Sequence, residues 1–312
     1  MTLNNKGVIV AGFRTVVISK NCKLESKLNF LVIRSDIEQR IFINEIENLI
    51  IESTSVALTS ALIADLIAEG VNIVFCNNKH LPVGSILPLH NNYESARRIH
   101  EQINWPEERK KLLWQFIVKE KIKQQAEIVK KINDQQAYEQ LIKLYDQVLP
   151  FDSSNNEAVA ARLYFSAIFG SKFSRDYPCN ENAVLNYGYS ILMSFIAREI
   201  SAMGYVSELG IWHCSNTNPF NLACDFMEPF RPIVDNKVIH IIRDYDQETF
   251  QKVFKREIVK IFNDKIIVND EEQFLGSGMR NYLRRGIKFL NGSCDSIFDF
   301  KLIDSEDDGL TL

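Results

Sequence analysis

The sequence predicts an α+β protein in which a small β-rich N-terminal domain, residues 1–80, precedes a larger all-α domain, residues 92–312. Three observations lead to this fold class. The chain has 312 residues, a length typical of two domains. Short apolar runs dominate the first part, whereas long segments with helical periodicity dominate the remainder. Residues 81–91, with two prolines and one glycine, separate the two patterns and are the predicted linker.

Short strands are expected in the N-terminal domain. Leu28, Phe30 and Val32 recur at every second position, the pattern of a half-buried strand. A polar segment around Asn21 has the composition of a hairpin turn. The apolar runs that predict strands are residues 8–10, 16–18, 28–33, 41–43 and 49–51.

One helix is expected between these strands and a closing strand at residues 71–76. Either Ser53 or Ser55 is a suitable N-cap, and Gly70 is a suitable stop signal. Its apolar face is predicted to consist of Leu58, Leu62 and Leu66.

Beyond the linker the pattern becomes helical throughout. Pro106 is a favourable start for a long helix, since proline is tolerated in the first turn. Further helices are predicted around residues 137–148, 155–169, 181–203, 248–263 and 277–290. A short helix is also expected after Asn218 and Pro219, which suit the N-cap and the first helical position.

The composition excludes several classes of protein. Apolar residues make up 46% of the chain and charged residues 24%, which argues against disorder. The most apolar stretch, residues 56–75, contains Asp65 and Glu69, so no transmembrane helix is expected. The apolar run at residues 8–13 is too short for a signal peptide. Six cysteines without a CxxC pair indicate reduced thiols, and the protein is expected to be cytoplasmic.

The net charge of −4 is unevenly distributed. Six acidic residues and one lysine follow Cys294, so the rest of the chain is close to neutral. An acidic tail and a local basic face are therefore compatible with the acidic pI near 5.8.

Glu157 is the first candidate for chemistry. It lies three residues after Ser154, and this spacing matches a capping box in which the carboxylate binds a backbone N–H. The alternative is a functional carboxylate that points from a helix N-terminus into a cleft.

His213, Asp225 and Glu228 are the other candidates. His213 lies between a glycine and an Asn-rich segment, and histidines in loops are frequently functional. Asp225 and Glu228 are three residues apart and share one helix face, where a cation between them would relieve their repulsion. Arg231 is one such cation, which would make Glu228 part of a structural ion pair.

A histidine with several carboxylates favours a hard divalent ion, Mg²⁺ or Mn²⁺. Cys214 and Cys224 lie near His213, but their spacing fits no common zinc module.

Two basic clusters are candidate phosphate-binding surfaces. The lysines of the long helix are interspersed with glutamates, which indicates a solvated face; they are Lys110, Lys111, Lys119, Lys121, Lys123, Lys130 and Lys131. A second cluster has no interspersed acids and is the better phosphate-binding candidate. It consists of Arg280, Arg284, Arg285 and Lys288.

Three segments in this order resemble one family. They are NNEAVAARLYF with Glu157, NAVLNYGYSILMSFIAREISAMGY, and NPFNLACDFMEPFRP, with His213 before the last. Together they are similar to the integrase–endonuclease of CRISPR spacer acquisition, in the form found in type II systems. No P-loop, GxGxxG, GxSxG or HExxH motif competes with this interpretation.

The resemblance implies a helical catalytic domain with metal ligands at Glu157, His213 and Glu228, and Asp225 as a nearby second acid. Many relatives carry Asp where this chain has Glu228, which alters the reach of the ligand and not its type. The resemblance also implies a homodimer, a small ferredoxin-like partner integrase subunit and double-stranded DNA. The implied DNA is a spacer fragment and a CRISPR repeat, and no membrane partner is implied.

The implied reaction is transesterification of DNA by a 3′-hydroxyl, with hydrolysis when water replaces that hydroxyl. Two alternatives remain open at the level of sequence. The first is a metal-dependent nuclease without an integration role. The second is a non-catalytic nucleic-acid scaffold in which Glu157 is a helix cap and Glu228 an ion-pair partner.

Overall fold

A computed structural model describes residues 14–78, 82–88, 94–244, 254–268, 271–295 and 300–302. The predicted strand at residues 8–10 and most of the acidic tail lie outside these ranges. No described helix is both long and apolar enough to span a membrane.

Two four-stranded sheets form the N-terminal region, which confirms that it is β-rich. The first sheet contains, in order, β4 (Gln39–Phe42), β3 (Phe30–Arg34), β2 (Cys22–Lys27) and β6 (Val56–Leu58). The second contains β1 (Arg14–Ile18), β5 (Ile46–Ile51), β7 (Asn72–Cys76) and β8 (Pro82–Ile86). Strands β1, β5 and β7 are parallel, and β8 is antiparallel to β7.

Helix α1 (Ser60–Ala68) begins later than predicted. Its N-cap is Thr59, whose Oγ1 accepts a hydrogen bond from the Leu62 amide at 3.3 Å. The predicted caps Ser53 and Ser55 are wrong because residues 56–58 pair with β2 and are therefore extended. The predicted stop is confirmed, since Gly70 has a φ of +73° that favours glycine.

The predicted linker contains part of the second sheet. Pro82–Ile86 pairs with β7, so the sheet continues past the predicted boundary at residue 80. Pro82 lies at the first residue of this strand, where its missing N–H is tolerated. Local composition suggested a loop because proline and glycine are frequent in both loops and edge strands.

The helical region confirms most of the predicted helices. In chain order, the helices of this region include α2 (Ser95–Ile103), α3 (Glu107–Lys131), α4 (Gln135–Asp146), α5 (Asn156–Phe169), α6 (Asn180–Ala202), α7 (Asn221–Met227), α8 (Arg231–Asp244) and α9 (Leu275–Leu290). Helices α2 and α8 have no counterpart among the predicted helices. Part of the helix predicted at 248–263 lies outside the described residues. Residues 254–259 are helical, and a 3-10 turn follows at Lys260–Asn263.

The second region is not all-α, contrary to the sequence prediction. A three-stranded antiparallel sheet has β9 (Lys265–Val268) between β10 (Glu271–Phe274) and β11 (Phe300–Leu302). Ile266 and Val268 are buried, and Ile266 approaches α9 so closely that a Cβ at Gly278 would lie 2.4 Å from its Cδ1. Strands this short, with one partner distant in sequence, leave little periodic signal.

Helix α3 lies in the helical core, in contact with α4, α5, α8 and α9. The core continues onto the second sheet, where Val17, Ile50 and Val74 belong to the same apolar cluster as α6. Polar contacts also join the two regions. Ser194 Oγ donates to Asn72 Oδ1 at 3.0 Å, and the Tyr187 hydroxyl donates to Glu52 Oε1 at 3.0 Å.

Arg280 links three elements and is not a free cation. Its Nε donates to Glu199 Oε1 on α6 at 2.8 Å, and its NH2 donates to Glu47 Oε1 on β5 at 3.2 Å. Both carboxylate side chains are only 5% exposed. The sequence interpretation of Arg280 as part of a basic run without neutralising acids is therefore wrong, because these acids are distant in sequence and do not enter a local charge count. Its role in DNA binding stays a prediction.

Replacing Arg280 is consequently expected to affect stability. We predict that Arg280→Ala lowers the free energy of unfolding by about 2 kcal/mol, between values for exposed and buried pairs. The side chain is 24% exposed, and Glu199 has a second cationic partner, Arg198, whose NH1 lies 2.8 Å from its Oε1. Chemical denaturation followed by circular dichroism measures the change. Arg284→Ala on the exposed face of α9 is the control, with an expected change below about 0.5 kcal/mol.

Candidate metal centre

Glu157 lies in the first turn of α5, but it does not form a capping box. The carboxylate of Asp152 caps the helix instead, with its two oxygens each 2.9 Å from the amides of Asn156 and Glu157. Asp152 reaches this position because the chain turns sharply there, with positive φ at Asp152 and Asn155. The capping interpretation of Glu157 is therefore wrong, and its carboxylate is directed towards α3.

Glu228 is buried in the 3-10 turn Glu228–Phe230 that joins α7 to α8. Its Oε1 lies 2.9 Å from Arg231 NH2, which confirms the ion pair expected from their spacing. Its Oε2 accepts from Lys121 Nζ at 2.6 Å, and the same ammonium donates to Glu157 Oε1 at 2.6 Å. One buried lysine thus joins the two candidate carboxylates.

Lys121 was assigned by sequence to a solvated lysine cluster, which is wrong. Its side chain is only 10% exposed, because α3 directs it into the core. The signal was present in the helical spacing. Leu113, Ile117 and Lys121 are four residues apart, and both apolar members of this stripe are fully buried.

The charges in this group fix its protonation at neutral pH. Burial would raise the pKa of Glu228, but Arg231 and Lys121 outweigh it and hold the pKa at about 2. Burial would lower the pKa of Lys121, but Glu228 and Glu157 outweigh it and raise that pKa. Glu228 is therefore ionised and Lys121 is protonated.

Asp225 organises the segment that carries His213. Its carboxylate accepts from the backbone amides of Ile211, Trp212 and His213 at 2.5, 3.2 and 3.1 Å. It also lies 2.7 Å from His213 Nδ1. Gly210 permits this fold, since a Cβ there would lie 2.2 Å from the His213 carbonyl oxygen. Asp225 is therefore a positioning residue that leaves Nε2 of His213 for a ligand.

The environment of His213 favours its charged form. The hydrogen bond to Asp225 is the main cause, and it raises the pKa of His213 despite the opposing effect of burial. Glu228 and Glu157 also raise this pKa, so both carboxylates act on the ring electrostatically.

Two tryptophans that the sequence analysis did not identify flank the histidine. The His213 ring packs edge-on against Trp114, with centroids 5.7 Å apart. Trp212 stacks on Trp114 at an interplanar angle of 13°, although 44% of Trp212 is exposed. This aromatic wall limits water on one side of the ring and leaves an exposed indole beside it.

The donor types suit a hard divalent ion, but the site is arranged around Lys121. Two carboxylates sharing one cation and an imidazole with a fixed Nδ1 are appropriate ligands for Mg²⁺ or Mn²⁺. Within the described ranges, however, no three His, Cys, Asp or Glu side chains already form a metal-binding group.

A cleft of about 680 Å³ opens beside His213. Its polar lining residues include Lys110, Glu208, Ser215, Asn216, Thr217 and Asn218. The cleft is therefore polar and carries charges of both signs next to the histidine.

The remaining basic candidates lie on α9, which packs against α3. Arg284 and Lys288 are exposed one helical turn apart, whereas Arg285 is half-buried. Their role in DNA binding remains a prediction.

Similarity to known proteins is extensive. Residues 15–261 match the family described as CRISPR associated protein Cas1. The chain is 36% identical over 230 residues to the CRISPR-associated endonuclease Cas1 of Neisseria meningitidis serogroup C (strain 8013), covering 73% of this chain and 76% of the relative.

Two solved structures have a similar fold. One is a casposase bound to an integration product, with a TM-score of 0.74 and 18% identity, covering 89% of this chain and 90% of the casposase. The other is part of a Cas6-RT-Cas1–Cas2 complex, with a TM-score of 0.69 and 16% identity. That alignment covers 97% of this chain and 37% of the other.

The contact between Asp225 and His213 predicts a measurable pH effect. Because the carboxylate favours the protonated ring, Asp225→Asn should lower the pKa of His213. Protonated His213 stabilises the fold fully below its unfolded pKa of about 6.5, and this contribution is lost as pH rises through the raised folded pKa. Histidine binds metal only when neutral, so the raised pKa weakens metal binding on the acidic side.

NMR titration of the imidazole C–H signals measures this pKa in both proteins. The spectrum of His213→Gln assigns the resonance among the five histidines. An unchanged His213 pKa in folded Asp225→Asn would contradict the assigned role of Asp225.

Proposed function

The chain belongs to the CRISPR-associated Cas1 family, and from this membership we propose that it is a metal-dependent DNA integrase and endonuclease of spacer acquisition. It inserts short DNA fragments into a CRISPR array, in the form used by type II systems. The observation that carries the proposal is the shared cation between Glu157 and Glu228, next to an oriented histidine. Lys121, Glu157 and Glu228 are far apart in sequence, and they meet where α3, α5 and the turn after α7 converge.

Glu157, Glu228 and Nε2 of His213 are the proposed ligands of Mg²⁺ or Mn²⁺. A divalent ion bound there would polarise a phosphoryl oxygen and stabilise the attacking oxygen as its alkoxide. Asp225 holds the imidazole in a fixed orientation, and Arg231 keeps Glu228 ionised. The Trp114 side of the ring restricts access of water.

In the proposed reaction, the 3′-hydroxyl of a DNA fragment attacks a phosphodiester at the edge of a CRISPR repeat. A phosphorus–oxygen bond forms to the incoming strand, and the bond to the original sugar oxygen breaks. One phosphodiester replaces another, so no nucleotide triphosphate is consumed. When water attacks instead, the same group of residues supports hydrolysis.

We also propose three partners: double-stranded DNA, a second copy of this chain, and a small ferredoxin-like integrase subunit. The similar casposase is bound to an integration product, and another similar chain belongs to a complex that contains Cas2, which supports DNA and a second subunit. For the homodimer, the support is apolar surface on the first N-terminal sheet. Leu28 is 83% exposed there, beside the paired rings of Phe30 and Phe42.

The first test is a strand-transfer assay. Glu157→Ala, His213→Ala and Glu228→Ala should each abolish joining of a short 3′-hydroxyl duplex to a supercoiled CRISPR plasmid with Mn²⁺ or Mg²⁺. Double variants should add little, because residues that act as one unit are non-additive. The assay is run with and without the partner subunit. Folded Glu157→Ala that still joins DNA would refute the ligand assignment, and nicking without joining in the native protein would favour a simple nuclease.

The second test concerns the exposed face of α9. Changing Arg284 and Lys288 together to Ala should lower the slope of log affinity against log salt by about two, since each phosphate contact contributes roughly 0.9. Affinity should fall about equally for unrelated sequences. Fluorescence anisotropy at several salt concentrations gives the slope. An unchanged slope would place the DNA elsewhere, with the lysines of α3 as the next surface to examine.

A further inference from the structure

The ammonium of Lys121 occupies the space between the two carboxylates that we assign to a metal. Nζ is 2.6 Å from Glu157 Oε1 and 2.6 Å from Glu228 Oε2, and the side chain is only 10% exposed. Both distances are those of short charge-assisted hydrogen bonds. The lysine therefore holds the carboxylates together in the absence of a divalent ion.

We propose that Lys121 is a positioning residue that substitutes for the metal and withdraws its ammonium when a divalent ion binds. The inference rests on the proposed function, because it takes Glu157 and Glu228 as metal ligands. A divalent ion and an ammonium cannot both lie between the same two oxygens, since they repel each other and compete for the same lone pairs. Metal binding therefore includes an exchange of one cation for another.

The charge balance around the site also links metal binding to DNA binding. Among the side chains joined by these ion pairs, Glu157, Asp225 and Glu228 contribute three negative charges, and Lys121 and Arg231 contribute two positive ones, so this group has a net charge of −1 when His213 is neutral. Two further buried carboxylates, Asp152 at the cap of α5 and Asp235 beside Tyr189, bind other partners and are not part of this group. A divalent ion changes the net charge to +1, and one phosphodiester returns it to zero. Metal and DNA thus favour each other's binding, and the charge of Lys121 is what couples them.

Removing that charge makes a specific prediction. In Lys121→Met the site has a net charge of −2 without metal, and a divalent ion alone neutralises it. Metal should then bind more tightly and no longer depend on DNA. A lysine that served only to stabilise the fold would give the opposite result, since its loss would loosen the carboxylates and weaken metal binding.

Lys119 provides a matched control on the same helix. It is half-buried, but its Nζ lies over the Tyr145 ring, 4.9 Å from the centroid. Lys119→Met removes one positive charge from α3 at a position where, within the described residues, the ammonium is not paired with Glu157 or Glu228. Both variants therefore show any general effect of removing a positive charge. Only Lys121→Met removes the ammonium that is exchanged for the metal.

The experiment measures free Mn²⁺ by electron paramagnetic resonance during titration of the full-length chain. Native protein, Lys121→Met, Lys119→Met and Glu157→Gln are compared with and without a short duplex that has 3′-deoxy ends and cannot be joined. We expect Lys121→Met to bind Mn²⁺ on the order of tenfold more tightly than native protein without DNA. DNA should raise the Mn²⁺ affinity of native protein and of Lys119→Met by a similar factor, and that of Lys121→Met much less.

The outcomes separate this inference from the proposed function. Equal or weaker Mn²⁺ binding by Lys121→Met, with native binding lost in Glu157→Gln, overturns the exchange and leaves the metal site intact. Native affinity retained in Glu157→Gln refutes the proposed metal ligand, and the exchange fails with it.

A second measurement needs no variant and applies even if Lys121→Met does not fold. Native protein is treated briefly with acetic anhydride with and without Mn²⁺, and labelled lysines are quantified by peptide mass spectrometry. Labelling of Lys121 should rise several-fold with Mn²⁺ as the ammonium leaves the carboxylates, while Lys119 is unchanged. Labelling of Lys121 that stays constant or falls with Mn²⁺ overturns the proposal.

Discussion

The helical core depends on one constraint, which is that a charge removed from water needs an opposite charge in contact with it. Transferring an isolated ion into a protein interior costs several kcal/mol. Lys121 on α3 meets this requirement through Glu157 on α5 and Glu228 after α7, and Glu228 in turn binds Arg231 at the start of α8. This chain of contacts fixes four elements relative to one another. The same contacts bring Glu157 and Glu228, two of the three proposed metal ligands, together, so the stability of the core and the geometry of these carboxylates share one cause.

Features that arise from neighbouring residues were the ones that sequence could predict. The end of α1 at Gly70 and the extents of α5 and α6 followed from glycine conformation and apolar periodicity. Features that depend on a distant partner were missed. Strand β9 needs residues 300–302 to complete its pairing, and Pro82–Ile86 is a strand only because β7 lies beside it. Local patterns indicate which secondary structure a segment favours. Where a segment favours two about equally, pairing with a distant segment decides between them.

The candidate site likewise has features that sequence could predict and features that it could not. Resemblance to a family identified Glu157, His213 and Glu228, but it did not reveal what surrounds them. The resemblance implies that Asp225 is a nearby second acid, but it did not reveal that this carboxylate binds three backbone amides and the histidine ring. Lys121 was placed on a solvated face because its neighbours in sequence are charged. The apolar residues four and eight positions before it on α3 indicated that it faces the core, but this is evident only when the helical spacing is considered.

The contacts of Arg280 have a consequence for the construction of chimaeric proteins from this chain and its relatives. Glu47 comes from the N-terminal sheet, Glu199 from α6 and Arg280 from α9, and a Cβ at Gly276 would lie 2.5 Å from the Glu47 carboxylate. In this chain the charge and shape of the junction are matched across three segments. A chimaera with its N-terminal sheet from one relative and its helices from another combines segments that were not matched to each other. Exchange of these residues as a set preserves that junction, whereas a cut chosen by sequence position alone separates them.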